Sequence, residues 1–292
     1  MPDVTVNGVR LFYQQFGDAG PDVVLVHAVT SNQAVWVFSG LPDAIAAEGF
    51  RVTTYDLRGH GMSERPPTGY TSAAMADEFR ALHAELGLKP ALLVGHSFGG
   101  VVGMHAALLH PECVKGVVLS DSFFPGLKHV EPNFGRSNVW IDLRETFQKV
   151  GVDLGETVDF ARLFRTAATL NPEQSKQLDD IYGAVGRGWL RQLPLLAETS
   201  CGEEVLAEAG LTAERIAATP RPVVGLYDEF SPFLATCRWL EQHLPDCTAE
   251  IIPEAKHLAV VENAAGFTEA VIRHLKRMAA PTERPCTSEP SS

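Results

Sequence analysis

The chain has 292 residues, of which 45% are hydrophobic and 21% are charged, and its formal net charge at pH 7 is −12. This composition is typical of a soluble globular protein, and the length fills one large domain or one domain with a sizeable insertion. The acidic balance argues against nucleic acid or anionic lipid as a partner, and no apolar stretch is long enough to span a bilayer.

The first ten residues and the cysteines bear on the cellular compartment. The opening "MPDVTVNGVR" lacks both the basic region and the apolar core of a secretory signal. The five cysteines are scattered and include no Cys-x-x-Cys pair, which argues against a disulfide framework or a zinc site. We therefore expect a cytoplasmic protein without a bound metal.

Short apolar runs alternate with longer helical patterns along most of the chain, which indicates a mostly parallel sheet covered by helices. Residues 4–17 resemble an antiparallel hairpin, with Asn7-Gly8 as the two-residue turn. The continuous apolar runs that follow are expected to be strands buried on both faces: "DVVLVH" (22–27), "RVTTYD" (51–56), "ALLVGH" (91–96), "VKGVVLSD" (114–121), "RPVVGLYD" (221–228) and "AEIIPE" (249–254).

Helices are predicted between these strands at 42–48, 72–86, 98–109, 232–243 and 262–278. On the last of them, Phe267, Val271 and Leu275 are four residues apart and mark one buried stripe.

The region 124–219 differs from the rest because it shows helical periodicity and no convincing strand. We expect an all-helical cap inserted into an α/β core of residues 1–123 and 220–280, with a doubly wound, mostly parallel sheet. The tail 281–292 is polar and rich in Pro and Ser, and is predicted to be disordered.

One serine interrupts an apolar run in "LLVGHSFGGVV" (92–102). The predicted strand must turn sharply into the helix that begins near Phe98, and Ser97 lies at the apex of this turn. Such a turn strains the serine backbone, while Gly95 and Gly99 leave room for the strand and helix to approach. The turn is expected to hold the Ser97 hydroxyl above the sheet edge, near the N–H groups of the new helix.

This segment resembles the G-x-S-x-G nucleophile elbow of the α/β-hydrolase fold, with a strand before it and a helix after it. The resemblance implies a base and an orienting acid that follow the serine in the order Ser, acid, His. His257 in "IIPEAKHLAVVEN" (251–263) is similar to the histidine loop of the family and is the predicted base.

The resemblance leaves two residues as the acid. Asp228 in "VVGLYDEFSP" (223–232) matches the Gly-x-x-Asp-x-x-x-Pro loop of the family and is preferred. The alternative is Asp121 in "VVLSDSFFP" (117–125), where some family members carry their acid. Both follow strands that end at the same sheet edge, so topology alone does not separate them.

The resemblance also implies two backbone donors for the substrate oxyanion, the N–H groups of Phe98 and Val29. The family usually has glycine where this chain has Ala28, a departure that narrows the allowed backbone angles. The segment "YDLRGHGMSERP" (55–66) is similar to another family segment and is interpreted as a structural loop tied down by Asp56 and Arg58.

A cap would make the site a closed and largely apolar chamber. His27 and Trp36 are predicted to contact the substrate, with Trp36 on the acyl side. Trp189 is predicted either to stack on a cyclic substrate or to belong to the cap core.

The predicted reaction is cleavage of a carboxylic ester, lactone or thioester of a small substrate through an acyl-enzyme, with no cofactor. One alternative is carbon–carbon bond hydrolysis of a diketone-like substrate with the same residues. Acyl transfer to an alcohol is a second, and a small-molecule receptor on the same fold is a third.

Overall fold

The computed structural model describes residues 2–280, apart from the side chains of residues 184–187. The predicted tail and Cys286 therefore lie outside the described residues. The predicted hairpin is present: β1 (Asp3–Val6) and β2 (Val9–Phe16) pair in antiparallel register. Asn7 and Gly8 connect them with φ values of 50° and 78°, the left-handed conformation that a two-residue hairpin turn requires.

All six predicted parallel-type strands are found. They are β3 (Asp22–Val26), β4 (Arg51–Tyr55), β5 (Ala91–His96), β6 (Val114–Ser120), β7 (Val223–Asp228) and β8 (Cys247–Ile252). The eight strands form one sheet in the order β1-β2-β4-β3-β5-β6-β7-β8, and every pair from β4 onward in this order is parallel. The interior strands carry few exposed residues because helices cover both faces of the sheet.

Helices pack against both faces of the sheet, which separates the apolar interior into two clusters. The buried stripe of Phe267, Val271 and Leu275 is confirmed, since all three side chains are fully buried in one of these clusters. A short helix over Ala34–Ser39 was not predicted. The helices of this α/β part are α1 (Ala34–Ser39), α2 (Leu41–Ala47), α3 (Ser72–Glu85), α4 (Phe98–Leu109), α10 (Leu234–His243), α11 (Ala259–Glu262) and α12 (Ala264–Ala279).

The chain between β6 and β7 is helical, and we call residues 124–219 the helical segment. It contains no strand of two or more residues among those described, although Gly126 and Thr212 form one isolated bridge. Its α-helices are α5 (Asn138–Gln148), α6 (Phe160–Ala168), α7 (Pro172–Gln192), α8 (Cys201–Glu204) and α9 (Ala213–Ala217). Helix α7 is kinked at Gly183, where φ is 65°.

Two further observations concern sequence expectations. Of the helices in residues 2–280, none combines the length and apolar character needed to cross a bilayer. The four cysteines within this range form no disulfide with one another.

The contact between β5 and α4 depends on two glycines, as expected. A Cβ atom on Gly95 would lie 2.4 Å from the backbone oxygen of Gly99. A Cβ atom on Gly99 would lie 2.2 Å from the carbonyl oxygen of Val26 in β3. Both distances are far below van der Waals contact with rigid backbone, so the strand and helix approach this closely only because both positions are glycine.

We predict that Gly99→Ala lowers the free energy of unfolding by about 1–3 kcal/mol, because the backbone of β3 or α4 must shift to admit the methyl group. Chemical denaturation measures this change. Gly103→Ala is the matched control on the same helix, since its Cβ would meet only the flexible Val117 side chain at 3.2 Å. An equal loss in both variants would contradict the close approach at Gly99.

Candidate functional site

Ser97 lies between β5 and α4 in a strained backbone conformation, with φ 51° and ψ −117°. Its N–H donates to the carbonyl oxygen of Ser120 at the end of β6 over 2.7 Å, which fixes the turn to the neighbouring strand. The strain expected at the apex of the turn is therefore present. It holds a half-buried serine at the carboxyl edge of the sheet.

His257 is paired with a buried carboxylate, that of Asp121. Its Nδ1–H donates to Asp121 Oδ2 over 2.5 Å. The Asp121 side chain has no exposed surface, whereas 23% of the His257 side chain is exposed. With the hydrogen on Nδ1, the neutral ring keeps Nε2 as its proton acceptor. The arrangement is that of a general base oriented by an acid.

The Asp121 carboxylate is held from several directions. Its backbone has φ 47°, an uncommon value for a residue other than glycine, and its N–H donates to Leu226 O over 2.9 Å. Its Oδ1 accepts the N–H of Asp228 at 3.3 Å, and its Oδ2 accepts from His257. Backbone strain of this kind persists only where surrounding contacts enforce it, and here it directs the carboxylate at the imidazole.

The sequence-based preference for Asp228 as the partner of His257 is not matched by the contacts. Asp228 is the last residue of β7 and is fully buried, but its Oδ2 accepts the N–H of Ala259 at 3.1 Å. Its Oδ1 is buried, and no group within residues 2–280 donates a hydrogen bond to it. The carboxylate that contacts the imidazole is the alternative, Asp121, whose Oδ2 accepts the Nδ1–H of His257.

The pKa values of these groups follow from burial and from one another. Burial favours the neutral form of His257, but the hydrogen bond to Asp121 and its charge outweigh this effect, and the pKa of His257 is raised. Burial, followed by repulsion from Asp121, raises the pKa of Asp228 to about 7.

Ser97 and His257 lie on adjacent loops of the same edge. The Nε2–H of His96, the residue before the serine, donates to His257 O over 2.7 Å, and the two rings have centroids 5.1 Å apart. Within residues 2–280, the Ser97 hydroxyl and the His257 ring do not form a hydrogen bond. Such contacts are often long in ligand-free enzymes and shorten when the substrate binds.

Glu262 shapes the histidine loop, and sequence reasoning missed it. Its Oε2 accepts the N–H groups of Lys256, His257 and Leu258 at 2.9, 3.3 and 3.1 Å. These hydrogen bonds lower the pKa of Glu262 against the opposing effect of burial. A carboxylate that follows a predicted histidine by five residues, at a helix start, is the signal that could have identified it.

The two backbone amides expected to bind an oxyanion are available. In the described part of the chain, neither Val29 N nor Phe98 N donates to another group. Ala28 does not take a positive φ, so the departure from glycine does not distort the loop at that position. The left-handed residue of this loop is instead Thr30, with φ 68°.

Two buried histidines hold the loop that carries Val29. His27 donates from Nδ1 to Ala28 O over 2.8 Å and accepts Leu57 N–H at Nε2 over 2.9 Å. His60 donates from Nδ1 to Arg58 O and accepts Thr30 N–H at Nε2 over 3.1 Å. Burial lowers the pKa of His27 to about 4. Burial, followed by repulsion between the protonated forms of His60 and His27, lowers the pKa of His60 to about 3. Both rings are neutral near pH 7.

These contacts correct the expectation that His27 contacts the substrate, because the ring is fully buried and both of its nitrogens are occupied.

The loop at 55–66 is tied down as expected. Asp56 accepts Gln33 N–H and Met62 N–H, each at 2.8 Å, and Arg58 pairs with Glu78.

Trp36 differs from the expectation that it contacts the substrate, whereas both alternatives for Trp189 stay open. Trp36 is fully buried below the site, edge-on to His96 with ring centroids 6.4 Å apart, and offers no surface to a substrate in this structure. Trp189 is half-buried, and its Nε1–H donates to the Thr30 hydroxyl over 2.7 Å. The helical segment therefore reaches the loop of Val29 through Trp189.

An aromatic cluster that the sequence did not reveal lies beside His257. Phe233 is edge-on to the His257 ring, with centroids 5.7 Å apart, and Phe123 stacks on Phe134 at 3.8 Å. Phe123 and Phe233 are 5.6 Å apart, so the three rings are continuous. They come from three separate stretches of chain, and no local pattern marks them as neighbours.

The structure offers nothing that resembles a metal centre in the portion it describes. No group of three or more His, Cys, Asp or Glu side chains there could hold a metal ion.

The chain is similar in sequence to a known family and to a full-length relative. The family model for the alpha/beta hydrolase fold matches residues 21–179, more than half of the chain. A pimeloyl-[acyl-carrier protein] methyl ester esterase from Chromobacterium violaceum is 30% identical over 280 residues, which cover 93% of this chain and 100% of that protein.

Other similarities are narrower or extend to the fold alone. A bifunctional epoxide hydrolase 2 from Sus scrofa is 34% identical over 167 residues, which cover 54% of this chain but only 30% of that protein. The crystal structure of an enol-lactonase from Burkholderia xenovorans LB400 has a TM-score of 0.68 at 20% identity, and the match covers 94% of this chain and 100% of the lactonase chain.

We predict that Asp228→Asn stabilises the protein increasingly as the pH rises from about 4 to above 7. The folded state raises the pKa of Asp228 to about 7, so the stability it contributes is present below the unfolded pKa and is lost as the pH rises through about 7. Asparagine keeps an acceptor for Ala259 N–H and removes the charge. At about 1.4 kcal/mol per pKa unit, the difference reaches at most about 4 kcal/mol.

Urea unfolding of both proteins between pH 5 and pH 8 measures this difference. A difference that stays constant across the range would show that the Asp228 carboxyl titrates alike in the folded and unfolded chains.

Proposed function

Because this chain belongs to the α/β-hydrolase fold family, we propose that it is a serine hydrolase that cleaves a carboxylic ester, a lactone or a thioester of a small and largely apolar substrate. One observation carries this proposal. Asp121 and His257 form a 2.5 Å hydrogen bond, and the loop of His257 lies next to the strained Ser97. A full-length relative named as an esterase supports the choice of ester chemistry.

In the proposed acylation step, Ser97 Oγ attacks the substrate carbonyl carbon and gives its proton to Nε2 of His257. The carbonyl oxygen becomes an oxyanion that accepts hydrogen bonds from the N–H groups of Val29 and Phe98. Asp121 stabilises the imidazolium that forms. His257 then returns the proton to the leaving oxygen or sulfur, the bond to the leaving group breaks, and an acyl ester of Ser97 remains.

In the deacylation step, His257 removes a proton from a water molecule, which attacks the acyl carbon. The tetrahedral intermediate collapses, the proton passes to Ser97 Oγ, and the carboxylic acid is released. Residues of this chain supply the base, the acid and the oxyanion donors in both steps, and water is the nucleophile of the second.

The helical segment is proposed to act as a cap over this site. Gln192 fastens it to the loop of Asp56, since its Nε2–H donates to Gly59 O at 3.1 Å and its Oε1 accepts Gly61 N–H at 3.2 Å. Phe233 and the rings that continue from it provide an apolar wall beside His257. Because His257 protonates the leaving group, this wall favours substrates with an apolar leaving group.

We predict that a fluorophosphonate probe labels the wild-type protein rapidly and that Ser97→Ala abolishes this labelling, because only an activated serine attacks the phosphorus centre. Gel fluorescence measures the labelled fraction. Ser175→Ala, on the exposed surface of α7, is the matched control and keeps wild-type labelling.

Folded protein that resists labelling would argue against an enzyme and favour a small-molecule receptor.

For a protein that is labelled, a hydrolysis panel of simple esters, lactones, acyl thioesters and diketones identifies the reaction. Preferential turnover of diketones would replace ester cleavage with carbon–carbon bond hydrolysis.

We predict that Asp121→Asn lowers kcat/KM for the best ester by more than about tenfold, because the imidazole loses the charge that orients it and stabilises its protonated form. Asp228→Asn changes kcat/KM by less than about threefold, since this carboxylate has no hydrogen bond to the imidazole. Steady-state kinetics of the two variants decides between the acids. A large loss of kcat/KM in Asp228→Asn, with little loss in Asp121→Asn, would make Asp228 at the end of β7 the acid.

A further inference from the structure

Helix α7 of the helical segment reaches the loop of Val29 through one side chain, that of Trp189. The indole Nε1–H of Trp189 donates to the Thr30 hydroxyl over 2.7 Å. Thr30 is buried, and within residues 2–280 its hydroxyl forms no other hydrogen bond. This contact has no part in either step of the proposed reaction, yet it acts on the residue that follows one of the two proposed oxyanion donors.

The loop of Val29 is a tight turn that is strained at Thr30. Ser31 N–H donates to Ala28 O over 3.1 Å, which closes a turn of four residues. Its third residue, Thr30, has a positive φ of 68° and its second, Val29, does not, which is the pattern of a type II turn. Glycine or asparagine is favoured at this third position, because a side chain that branches at Cβ is disfavoured at positive φ. Threonine there needs support from outside the turn.

The direction of the Val29 N–H depends on this turn. The peptide bond between Ala28 and Val29 is planar and trans, so the Val29 N–H points opposite to the Ala28 carbonyl. That carbonyl accepts from His27 Nδ1 and from Ser31 N–H. The hydrogen bond from Ser31 forms only while the turn is closed, and the turn is closed only while Thr30 keeps its left-handed conformation.

Two contacts from outside the turn hold Thr30. His60 accepts its N–H over 3.1 Å, and Trp189 binds its hydroxyl. Gln192 follows Trp189 by three residues, on the same face of α7, and hydrogen-bonds to the backbone on both sides of His60. The last turn of α7 therefore supplies one support of Thr30 and braces the loop that carries the other.

We propose that Trp189 is a positioning residue for the oxyanion site, which sets the direction of the Val29 N–H by holding Thr30 in its strained conformation. This inference rests on the proposed function, in which that N–H binds the oxyanion. Without the indole N–H, the buried Thr30 hydroxyl loses its partner and the strained turn relaxes. The Val29 N–H then points away from the oxyanion. Because Trp189 belongs to the helical segment, the oxyanion site is complete only while that segment contacts the loop.

The kinetic test uses four full-length proteins: the wild type, Trp189→Phe, Thr30→Val and the double variant. The first change removes the N–H donor and keeps an aromatic ring, and the second removes the acceptor and keeps the branched side chain. Loss of an oxyanion donor costs about 10²–10³-fold in rate, and a misdirected donor costs less. For the best ester we expect kcat to fall by about tenfold in each single variant, with KM changed less than about twofold. The double variant loses no more than either single variant, since all three lack the same hydrogen bond.

A trifluoromethyl ketone supplies a second measurement, because Ser97 adds to its carbonyl and forms a stable tetrahedral oxyanion. We expect its inhibition constant to rise by the same factor by which kcat falls. Trp140→Phe is the matched control in the helical segment, because Trp140 Nε1 is buried and has no hydrogen-bond partner among the described residues. This control keeps the kcat and the inhibition constant of the wild type.

The NMR resonance of the Trp189 indole N–H tests the contact without turnover. Trp189→Phe identifies this resonance. Thr30→Val shifts it upfield, because the hydrogen bond is lost, and leaves the indole resonance of Trp140 in place. The same spectra show that each variant is folded. A Trp189 resonance that does not move in Thr30→Val would overturn the proposal.

Two kinetic results would also overturn it. Additive losses in the double variant would mean that the two side chains act independently. A raised KM with unchanged kcat in Trp189→Phe would make Trp189 a substrate contact and not a positioning residue. Failure of the proposed function is a different result, in which Ser97→Ala retains the activity and labelling of the wild type.

Discussion

The hydrogen bond between Asp121 and His257 is the constraint on which the site depends. The two residues are 136 positions apart in the chain and meet because β6 and β8 end at the same edge of the sheet. Burial of the carboxylate excludes competing water, so its negative charge acts strongly on the ring. This interaction, followed by the charges of Asp228 and Glu262, raises the pKa of His257 against the opposing effect of burial.

Three of the six residues other than glycine that have a positive φ within residues 2–280 lie in the loops of this site. These residues are Thr30 in the loop of Val29, Ser97 as the proposed nucleophile, and Asp121, whose carboxylate contacts His257. The Ser97 turn is tied to β6 through Ser120, and the Asp121 turn is tied to β7 through Leu226. The parallel strands therefore supply the contacts that keep these strained conformations in place.

Neutral histidines stabilise the other side of the site. His27 and His60 each donate from one ring nitrogen and accept at the other, which uses the full capacity of an uncharged imidazole. Protonation of either ring would place a second ring N–H against a backbone N–H. The two donors would repel each other, so only the neutral ring fits these buried positions. Histidine thus serves two purposes here: His27 and His60 are neutral and hold the loop of Val29, whereas His257 is the proposed base.

The sequence by itself determined the succession of the eight strands along the chain, the hairpin turn at Asn7-Gly8 and the sharp turn at Ser97, because each depends on neighbouring residues and on local periodicity. It also nominated His257 and both carboxyl groups. Only the tertiary structure decided that His257 contacts Asp121 instead of Asp228, since both lie at strand ends and the choice rests on a distance between loops. The burial of Trp36, the contact of Trp189 with Thr30 and the support from Glu262 and Phe233 were decided in the same way. Such contacts join residues far apart in the chain, and no local pattern records the distances between them.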